Sequence, residues 1–246
     1  MGSRTCLWWG NCCLFGKNKL MKLEILKQII SKKEKKTEFA IVTNLATGNS
    51  EIFEKDKTLS KDFKKYSKEI NNLYNSKKNG IIEGSEIFVE TYTRPIKVII
   101  VGAVHIAQYL ADFAKSLNFE ILIIDPRGYF ASKQRFPDIK IINKWPKEAF
   151  KELETDKNTA LIALTHDPKI DDPALQHAIK KKFYYIGALG SRKTHSSRCG
   201  RLKESGYSNE QIDLIHGPIG IKLGGKSASE IALSIISQIV LITNNR

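Results

Sequence analysis

The sequence predicts an α/β protein with a three-layer parallel sheet preceded by a small α+β domain. Beyond Pro95, short runs of branched apolar residues alternate with segments of helical length, a pattern typical of parallel strands joined by right-handed crossovers. Before Pro95, two apolar runs flank a Gly48-Asn49 turn, which is typical of a hairpin. We therefore expect a small amino-terminal α+β domain over residues 21–95 and a Rossmann-like domain over residues 96–246.

The elements of the first domain follow from periodicity and turn residues. A helix is predicted from about residue 21, with an apolar face formed by Leu23, Leu26, Ile29 and Ile30. Residues 39–43 and 51–53 are predicted to be paired strands, residues 60–76 a helix and residues 84–92 a further strand. The Arg94-Pro95 step ends this pattern because proline breaks it.

The second domain is predicted to contain five buried strands, at residues 97–101, 120–124, 139–142, 159–164 and 183–186. A last helix is expected from Ser227 to about Leu241. Its apolar face, which packs on the sheet, is formed by Ile231, Ile235, Ile236 and Ile239.

Composition excludes several classes of protein. The chain has 246 residues, of which 41% are hydrophobic and 27% charged, so it can bury a sizeable core. No apolar run approaches the roughly 18 residues that a membrane-spanning helix needs. The net charge of +14 is mostly lysine and is spread evenly, with 18 basic and 11 acidic residues up to Pro95 and 22 and 15 beyond it. This distribution favours a solvated lysine-rich surface over a nucleic-acid site, and it still attracts anionic small molecules.

The cysteines form no framework. Cys6, Cys12 and Cys13 lie in the first twenty residues and Cys199 is alone in the last third, which excludes paired disulfides and C-x-x-C metal spacing and favours the cytoplasm. Residues 1–20 differ in composition from the rest and lack the features of a secretory signal. They are predicted to be a leader or an extension introduced by cloning, the alternative being a functional metal or membrane-contact segment.

Ligands of open parallel sheets bind beyond the carboxyl ends of the strands. The first strand is followed by Gly102-Ala103-Val104-His105-Ile106-Ala107, where a dinucleotide fingerprint would have G-x-G-x-x-G/A. Gly102 suits the tight turn, but Val104 replaces the glycine that admits a pyrophosphate. The loop still opens a helix whose free N–H groups favour an anion. A standard nicotinamide pose is therefore disfavoured.

Polar residues follow the second and fourth strands. Asp125 is placed to accept a hydrogen bond from a ribose hydroxyl, or else to cap the following turn, and Arg127 could hold a phosphate. After the fourth strand, Thr165 and His166 precede Asp167, so His166 could be a general base, a metal ligand or a structural residue. Asp171-Asp172 is interpreted as capping the next helix.

The fifth strand leads into the richest segment, Gly187-Ala-Leu-Gly190-Ser191-Arg192-Lys193-Thr-His195. Ser191 is predicted to cap a helix, and the cations that follow are disfavoured by the helix dipole unless an anion lies among them. The His216–Gly220 loop either closes the same crevice or is a structural connection.

These segments, in this order and spacing, resemble the Rossmann domain of the xanthine dehydrogenase accessory protein family (XdhC/CoxI), through IVGAVHIAQYLADFAKSL, IIDPRGYFASKQRFPD, LTHDPKIDDPAL, YIGALGSRKTHSSRCGRLKESGY and IHGPIGIKLGGKSASEIALSIISQI. The resemblance extends loosely to about Leu23. It implies a cytoplasmic, non-enzymatic maturation factor for molybdenum hydroxylases of the xanthine or carbon monoxide dehydrogenase type. Such a factor binds molybdenum cofactor (molybdopterin), passes it to the apo-enzyme and is often a homodimer.

One departure from that family concerns its amino-terminal GGC motif, which is missing because residues 21–95 contain no cysteine. The competing hypothesis is an NAD(P)-dependent oxidoreductase that uses His166 or His195 as acid/base in the same crevice. No catalytic residue and no metal site is assigned. The predicted cofactor-binding residues are Gly102, Ala103, Val104, His105, Ile106, Asp125, Arg127, Thr165, His166, Gly187, Gly190, Ser191, Arg192 and Lys193.

Overall fold

The computed structural model describes residues 22–55 and 57–245, and the chain divides between Arg94 and Pro95 into two compact units. The predicted leader or cloning extension, with Cys6, Cys12 and Cys13, lies outside the described residues. Within the described ranges, no helix has both the length and the apolar character required to span a bilayer.

The amino-terminal unit is built on a four-stranded antiparallel sheet in the order β2-β1-β4-β3. Its strands are β1 (Phe39–Asn44), β2 (Ser50–Phe53), β3 (Gly80–Ile81) and β4 (Ile87–Tyr92), and its helices are α1 (Leu23–Glu34), α2 (Lys61–Lys64) and α3 (Ser67–Asn75). The predicted hairpin is confirmed, since Ala40 pairs with Phe53 and Thr43 with Ser50. Phe63 of α2 and Ile70 of α3 are buried in the core beside these strands.

Two predictions in this unit are wrong in detail. The helix expected over residues 60–76 is interrupted between Lys64 and Ser67, and at the break the Ser67 hydroxyl donates to the Lys64 carbonyl at 2.5 Å. In α1, Leu23, Leu26 and Ile30 are 65%, 45% and 49% exposed. The helix instead packs through Ile25 and Ile29, one turn apart.

The second unit contains a six-stranded parallel sheet in the order β10-β9-β8-β5-β6-β7. Its strands are β5 (Lys97–Val101), β6 (Glu120–Ile124), β7 (Lys140–Ile142), β8 (Thr159–Ala163), β9 (Tyr185–Ala188) and β10 (Ile215–His216). The short β10 was not predicted, and β9 begins two residues later than expected. The chain reverses its direction across the sheet between β5 and β8, where ligands of such folds bind.

Helices cover both faces of this sheet and complete three layers. They are α4 (His105–Ser116), α5 (Pro146–Ala149), α6 (Pro168–Lys180), α7 (Arg192–Glu204), α8 (Asn209–Ile212) and α9 (Ala228–Asn244). Side chains alternate along β5, so Val98 and Ile100 pack with α4 and α9, whereas Ile99 and Val101 pack on the face of α5, α6 and α7. The predicted fold class is confirmed, and so is the last helix, which extends to Asn244.

Candidate functional site

Three adjacent strands bring their carboxyl ends, and the loops that follow them, to one edge of the parallel sheet. Val101, Ala163 and Ala188, the last residues of β5, β8 and β9, lie in register with one another. Gly102 has φ 109°, and a Cβ added there would lie only 2.6 Å from Thr165 Cγ2. Glycine is therefore required for the β5 loop to contact the β8 loop. We call this edge, with residues 102–106, 165–167 and 189–193, the carboxyl rim.

Asp125 is fully buried and anchors the first rim loop. Its Oδ2 accepts hydrogen bonds from Ala103 N and Arg127 Nη2, both at 2.8 Å, and its Oδ1 accepts from Arg127 N and Nε, both at 2.9 Å. Burial raises the pKa of Asp125, but these hydrogen bonds outweigh it and lower the pKa below the ordinary value. Asp125 is thus an ionised support for Ala103, and it compensates the charge of Arg127, whose side chain is 38% exposed.

Arg135 supports the same loop from the other side and was not predicted. Its Nη1 donates to the Ala103 and Phe130 carbonyls, both at 2.7 Å, and its Nη2 donates to Gln108 Oε1 at 3.0 Å. Residue spacing could not reveal this role, because the two carbonyls are 32 and 5 positions away along the chain. The Ala103 segment before α4 is consequently held on both sides, by Asp125 at its amide and by Arg135 at its carbonyl.

Residues 104–106 form the junction of this loop with α4. Val104 is the N-cap and makes no side-chain capping bond, which leaves first-turn N–H groups of a twelve-residue helix available to an acceptor. His105 is exposed, whereas Ile106 packs against the core. The predicted Gly102–Ile106 segment therefore lies on the carboxyl rim, with its side chains directed to different surroundings.

The interpretation of Asp171 and Asp172 as helix caps is wrong, because α6 begins at Pro168 and both residues lie inside the helix. Asp167 is the N-cap, and its Oδ1 accepts from Lys169 N at 2.9 Å. Asp172 instead forms a two-bond ion pair with Arg201, at 2.6 and 3.0 Å.

Asp171 is a buried support for the β8 loop. It accepts hydrogen bonds from Thr165 Oγ1 at 2.7 Å, Thr165 N at 3.2 Å and His166 N at 3.0 Å. His166 has φ 62°, a left-handed conformation that these bonds help to maintain, and it is exposed. Burial dominates the environment of Asp171 and raises the pKa of its carboxyl.

Ser191 caps α7 as predicted, its Oγ accepting from Thr194 N at 3.1 Å. Arg192 and Lys193 are exposed on the first turn that follows. Gly190 has φ 146° and packs against Thr194. Gly187 does not belong to this loop: it lies inside β9, where a Cβ would come within 2.4 Å of Ile219 Cδ1, so its role is packing.

His195 faces the loop after β10 instead of the carboxyl rim. A Cβ on Gly217 would lie 2.0 Å from His195 Nδ1, so this glycine allows the two segments to touch. Its Nε2 lies 3.5 Å from Sγ of Cys199, which is half-buried and packs against the core. The His216–Gly220 loop therefore packs on α7 through His195.

A cleft of about 280 Å³ opens between α6 and α7, beside the carboxyl rim. We call it the α6–α7 cleft. His166 and Lys193 are the predicted residues that line it. Its other lining residues are Pro168, Asp171, Thr194, Ser197, Arg198 and Arg201. Among the described residues, no group of three or more His, Cys, Asp or Glu side chains is arranged to hold a metal ion.

Arg198 was missed, because nothing in its sequence position distinguishes it from neighbouring basic residues. It is a buried residue of α7, and its Nη2 donates to the Leu189 carbonyl at 3.0 Å. That bond joins α7 to the loop that follows β9.

Comparison with known proteins identifies the family and the fold of the chain. The model of the XdhC Rossmann domain matches residues 98–239. The Escherichia coli molybdenum cofactor insertion chaperone PaoD is 37% identical over 105 residues, which cover 43% of this chain and 32% of PaoD. A probable xanthine dehydrogenase subunit of Bacillus subtilis is 24% identical over 157 residues, covering 63% of this chain and 46% of that protein.

A crystal structure of a xanthine dehydrogenase from Bacillus halodurans has the same fold, with a TM-score of 0.72 and 23% identity over 91% of this chain and 65% of that one. The matched region spans between about a third and a half of PaoD and the Bacillus subtilis protein. Since the family match covers more than half of the chain, the protein belongs to the XdhC Rossmann domain family.

Proposed function

We propose that this protein is a maturation factor for molybdenum hydroxylases, which binds molybdenum cofactor at the carboxyl rim and helps to insert it into an apo-enzyme. The observation that carries the proposal is the relationship to PaoD, a molybdenum cofactor insertion chaperone that is 37% identical over 105 residues, together with the match of this chain to the XdhC Rossmann domain. A xanthine dehydrogenase or carbon monoxide dehydrogenase type enzyme is the proposed partner. Homodimer formation and a cytoplasmic location remain predictions.

The chemistry of the rim suits such a ligand. Molybdopterin carries a terminal phosphate and a polar heterocycle, which require hydrogen-bond donors and cations. The rim offers the amino termini of α4 and α7, together with the exposed cations Arg192 and Lys193. Because Asp125 and Arg135 hold the Ala103 segment from both sides, little order has to be imposed when a ligand binds.

The predicted cofactor-binding residues divide into two groups under this proposal. Gly102, Ala103 and Thr165 already donate their amides to Ile124, Asp125 and Asp171, so they would shape the rim. The residues that would contact the ligand through first-turn amides or side chains are Val104, His105, Ile106, His166, Gly190, Ser191, Arg192 and Lys193. Asp125 would support the site by holding Ala103, and Arg127 would contact the ligand with the exposed part of its side chain. Gly187 would contribute only by its packing against Ile219.

An NAD(P)-dependent oxidoreductase is the competing hypothesis, favoured by the Gly102 turn followed by Asp125 at the end of β6. Two features count against it. Val104 occupies the position at which a glycine would admit the pyrophosphate, and both Asp125 oxygens already accept two hydrogen bonds each, which a ribose hydroxyl would have to displace. The delivery function is therefore the better-supported proposal.

The test is co-purification from cells that make molybdenum cofactor, followed by transfer to an apo-molybdenum hydroxylase. We expect pterin, measured by fluorescence after oxidation, to accompany the full-length protein and to activate the apo-enzyme. Micromolar binding of NADPH with turnover of a carbonyl substrate, and no retained pterin, would refute the proposal.

A charge-matched pair of variants tests the location. Replacing Arg192 and Lys193 by Ala should reduce pterin retention with little change in thermal stability, because both side chains are exposed. Replacing Lys180 and Lys181 by Ala removes the same charge at the other end of α6, beyond the opposite edge of the sheet, and should leave retention unchanged. Equal losses in both variants would place the ligand elsewhere.

A further inference from the structure

Arg198 is a buried cation with unused hydrogen-bonding capacity. Its side chain is 2% exposed, and only Nη2 is engaged, with the Leu189 carbonyl. Neither Nε nor Nη1 has a hydrogen-bond partner among the described residues. Buried N–H groups in folded proteins are almost always paired, and a guanidinium carries its five donors and its charge at any physiological pH. The missing acceptor is therefore to be sought in the space next to Arg198.

That space is the α6–α7 cleft, whose wall includes Arg198. Lys193 lies on the first turn of α7 and Ser197 one turn later, so an ammonium group and a hydroxyl border the same cleft. The amino terminus of this thirteen-residue helix adds a favourable dipole for an anion. His166 connects the cleft to the carboxyl rim, since it belongs to both.

The acidic residues near Arg198, which are Asp171 in the wall of the cleft and its neighbour Asp172, do not satisfy its free donors. Asp172 is engaged in two hydrogen bonds with Arg201. Asp171 accepts three hydrogen bonds from Thr165 and His166, and its Oδ2 lies 3.9 Å from Arg198 Nη2, the nitrogen that is already bonded. The Nε and Nη1 side of the guanidinium thus has positive charge and donors but no carboxylate acceptor.

We propose that the α6–α7 cleft binds a tetrahedral dianionic oxyanion, with Arg198 as its central donor and Lys193 as the second cation. This chemistry is shared by a phosphate monoester, such as the phosphate of molybdopterin, and by free phosphate or molybdate. Arginine suits several oxygens of one anion because its donors are held in a fixed plane. A volume of about 280 Å³ accommodates the anionic end of a ligand, while a heterocycle would extend past His166 to the carboxyl rim.

The site is tested by calorimetric titration of inorganic phosphate into the full-length protein. We expect saturable binding, reduced at least about tenfold by Arg198→Met, since truncating a buried charged donor removes its bonds to the anion. Ser197→Asp should abolish phosphate binding, because it places a carboxylate beside the bound anion. Ser196→Asp is the matched control: it makes the same change at an exposed neighbouring position that does not line the cleft, and binding should persist.

The pair at positions 196 and 197 keeps the test decisive if Arg198→Met does not fold. Absence of phosphate binding by the wild-type protein, or equal binding by Ser196→Asp and Ser197→Asp, overturns the site. Folded Arg198→Met protein that binds phosphate as the wild type does also overturns it.

Because the cofactor assignment rests on the proposed function, a further comparison separates the two. Displacement of retained pterin by phosphate, together with loss of pterin in Ser197→Asp, supports the cofactor phosphate as the occupant. Phosphate or molybdate binding that depends on Arg198, without any pterin retention, supports a free oxyanion site and refutes the proposed function. Pterin retention that is equal in Ser196→Asp and Ser197→Asp supports the proposed function and refutes the cofactor phosphate as the occupant of this cleft.

Discussion

Replacing Asp171 by Ala tests whether a buried carboxylate organises the β8 loop. The change removes the acceptor for Thr165 N, Thr165 Oγ1 and His166 N, and it deletes the carboxylate nearest to Arg198. Removing one partner of a buried ion pair costs about 3–5 kcal/mol, and each buried donor left unpaired costs about 1–3 kcal/mol. Thr165 is only half-buried, so water can compensate part of this loss.

We therefore expect the free energy of unfolding of the second unit to fall by about 3 kcal/mol. For a unit of about 150 residues this corresponds to a decrease in Tm of roughly 6–12 °C. The assay is urea unfolding followed by circular dichroism, in which the midpoint should fall while the slope m stays constant.

Asp172→Ala is the matched control for this experiment. It breaks the adjacent ion pair with Arg201, whose side chain is 37% exposed, and pairs of this kind contribute about 0–1 kcal/mol. If Asp171→Ala destabilises the protein no more than Asp172→Ala does, the buried carboxylate does not hold the loop, and the account of the carboxyl rim is wrong.

Three further predictions concern the same unit. Gly102→Ala should lower the free energy of unfolding by at least about 2 kcal/mol, because φ is 109° and the new Cβ would lie 2.6 Å from Thr165 Cγ2. The control is Gly128→Ala, whose Cβ would meet its nearest atom at 3.8 Å. It should change the free energy of unfolding by less than about 0.5 kcal/mol in the same urea assay. The pKa of Asp125 is lower in the folded protein than in the unfolded chain, where it is about 3.9. Its contribution to stability is therefore complete above the unfolded pKa and is lost as the pH falls through the folded pKa. The difference in stability between wild type and Asp125→Asn should shrink in acid, and a constant difference would contradict this. Ser227→Ala should lower Tm slightly, by the loss of about 1 kcal/mol from the cap of α9, and no change would mean that the observed capping box is not stabilising.

Much of the fold could be predicted from the sequence because local patterns and burial agree in the second unit. After the charged first residues Lys97 and Glu120, β5 and β6 are continuous apolar runs that pack on both faces of the sheet, which made these strands easy to predict. Ser191 and Ser227 begin helices as predicted, since a capping hydroxyl acts within three residues of its own position. Over residues 60–76 periodicity is compatible with one helix or two, and the structure has two, α2 and α3.

The sequence predicted which residues lie together at one edge of the sheet, but not the contacts that hold them there. Sequence position placed Gly102, Thr165 and Ser191 on one edge of the sheet, because parallel strands end together. It could not show that Arg198 is buried with free donors, that Asp171 lies inside a helix, or that Arg135 supports the Ala103 carbonyl. Each of these depends on which distant segments approach the side chain, and residue spacing carries no information about that.

The sequence by itself determined the order and type of the elements in the parallel sheet, and the residues that follow each strand, because these depend on short-range periodicity and on the topology of crossovers. Only the tertiary structure decided which charges are compensated. Asp125 and Arg127 neutralise each other, as do Asp172 and Arg201, whereas Arg198 has only a long ion pair with Asp171, at 3.9 Å, and keeps two donors without a hydrogen-bond partner among the described residues. Electrostatic energy depends on separation and burial, both of which are set by packing between segments far apart in the chain.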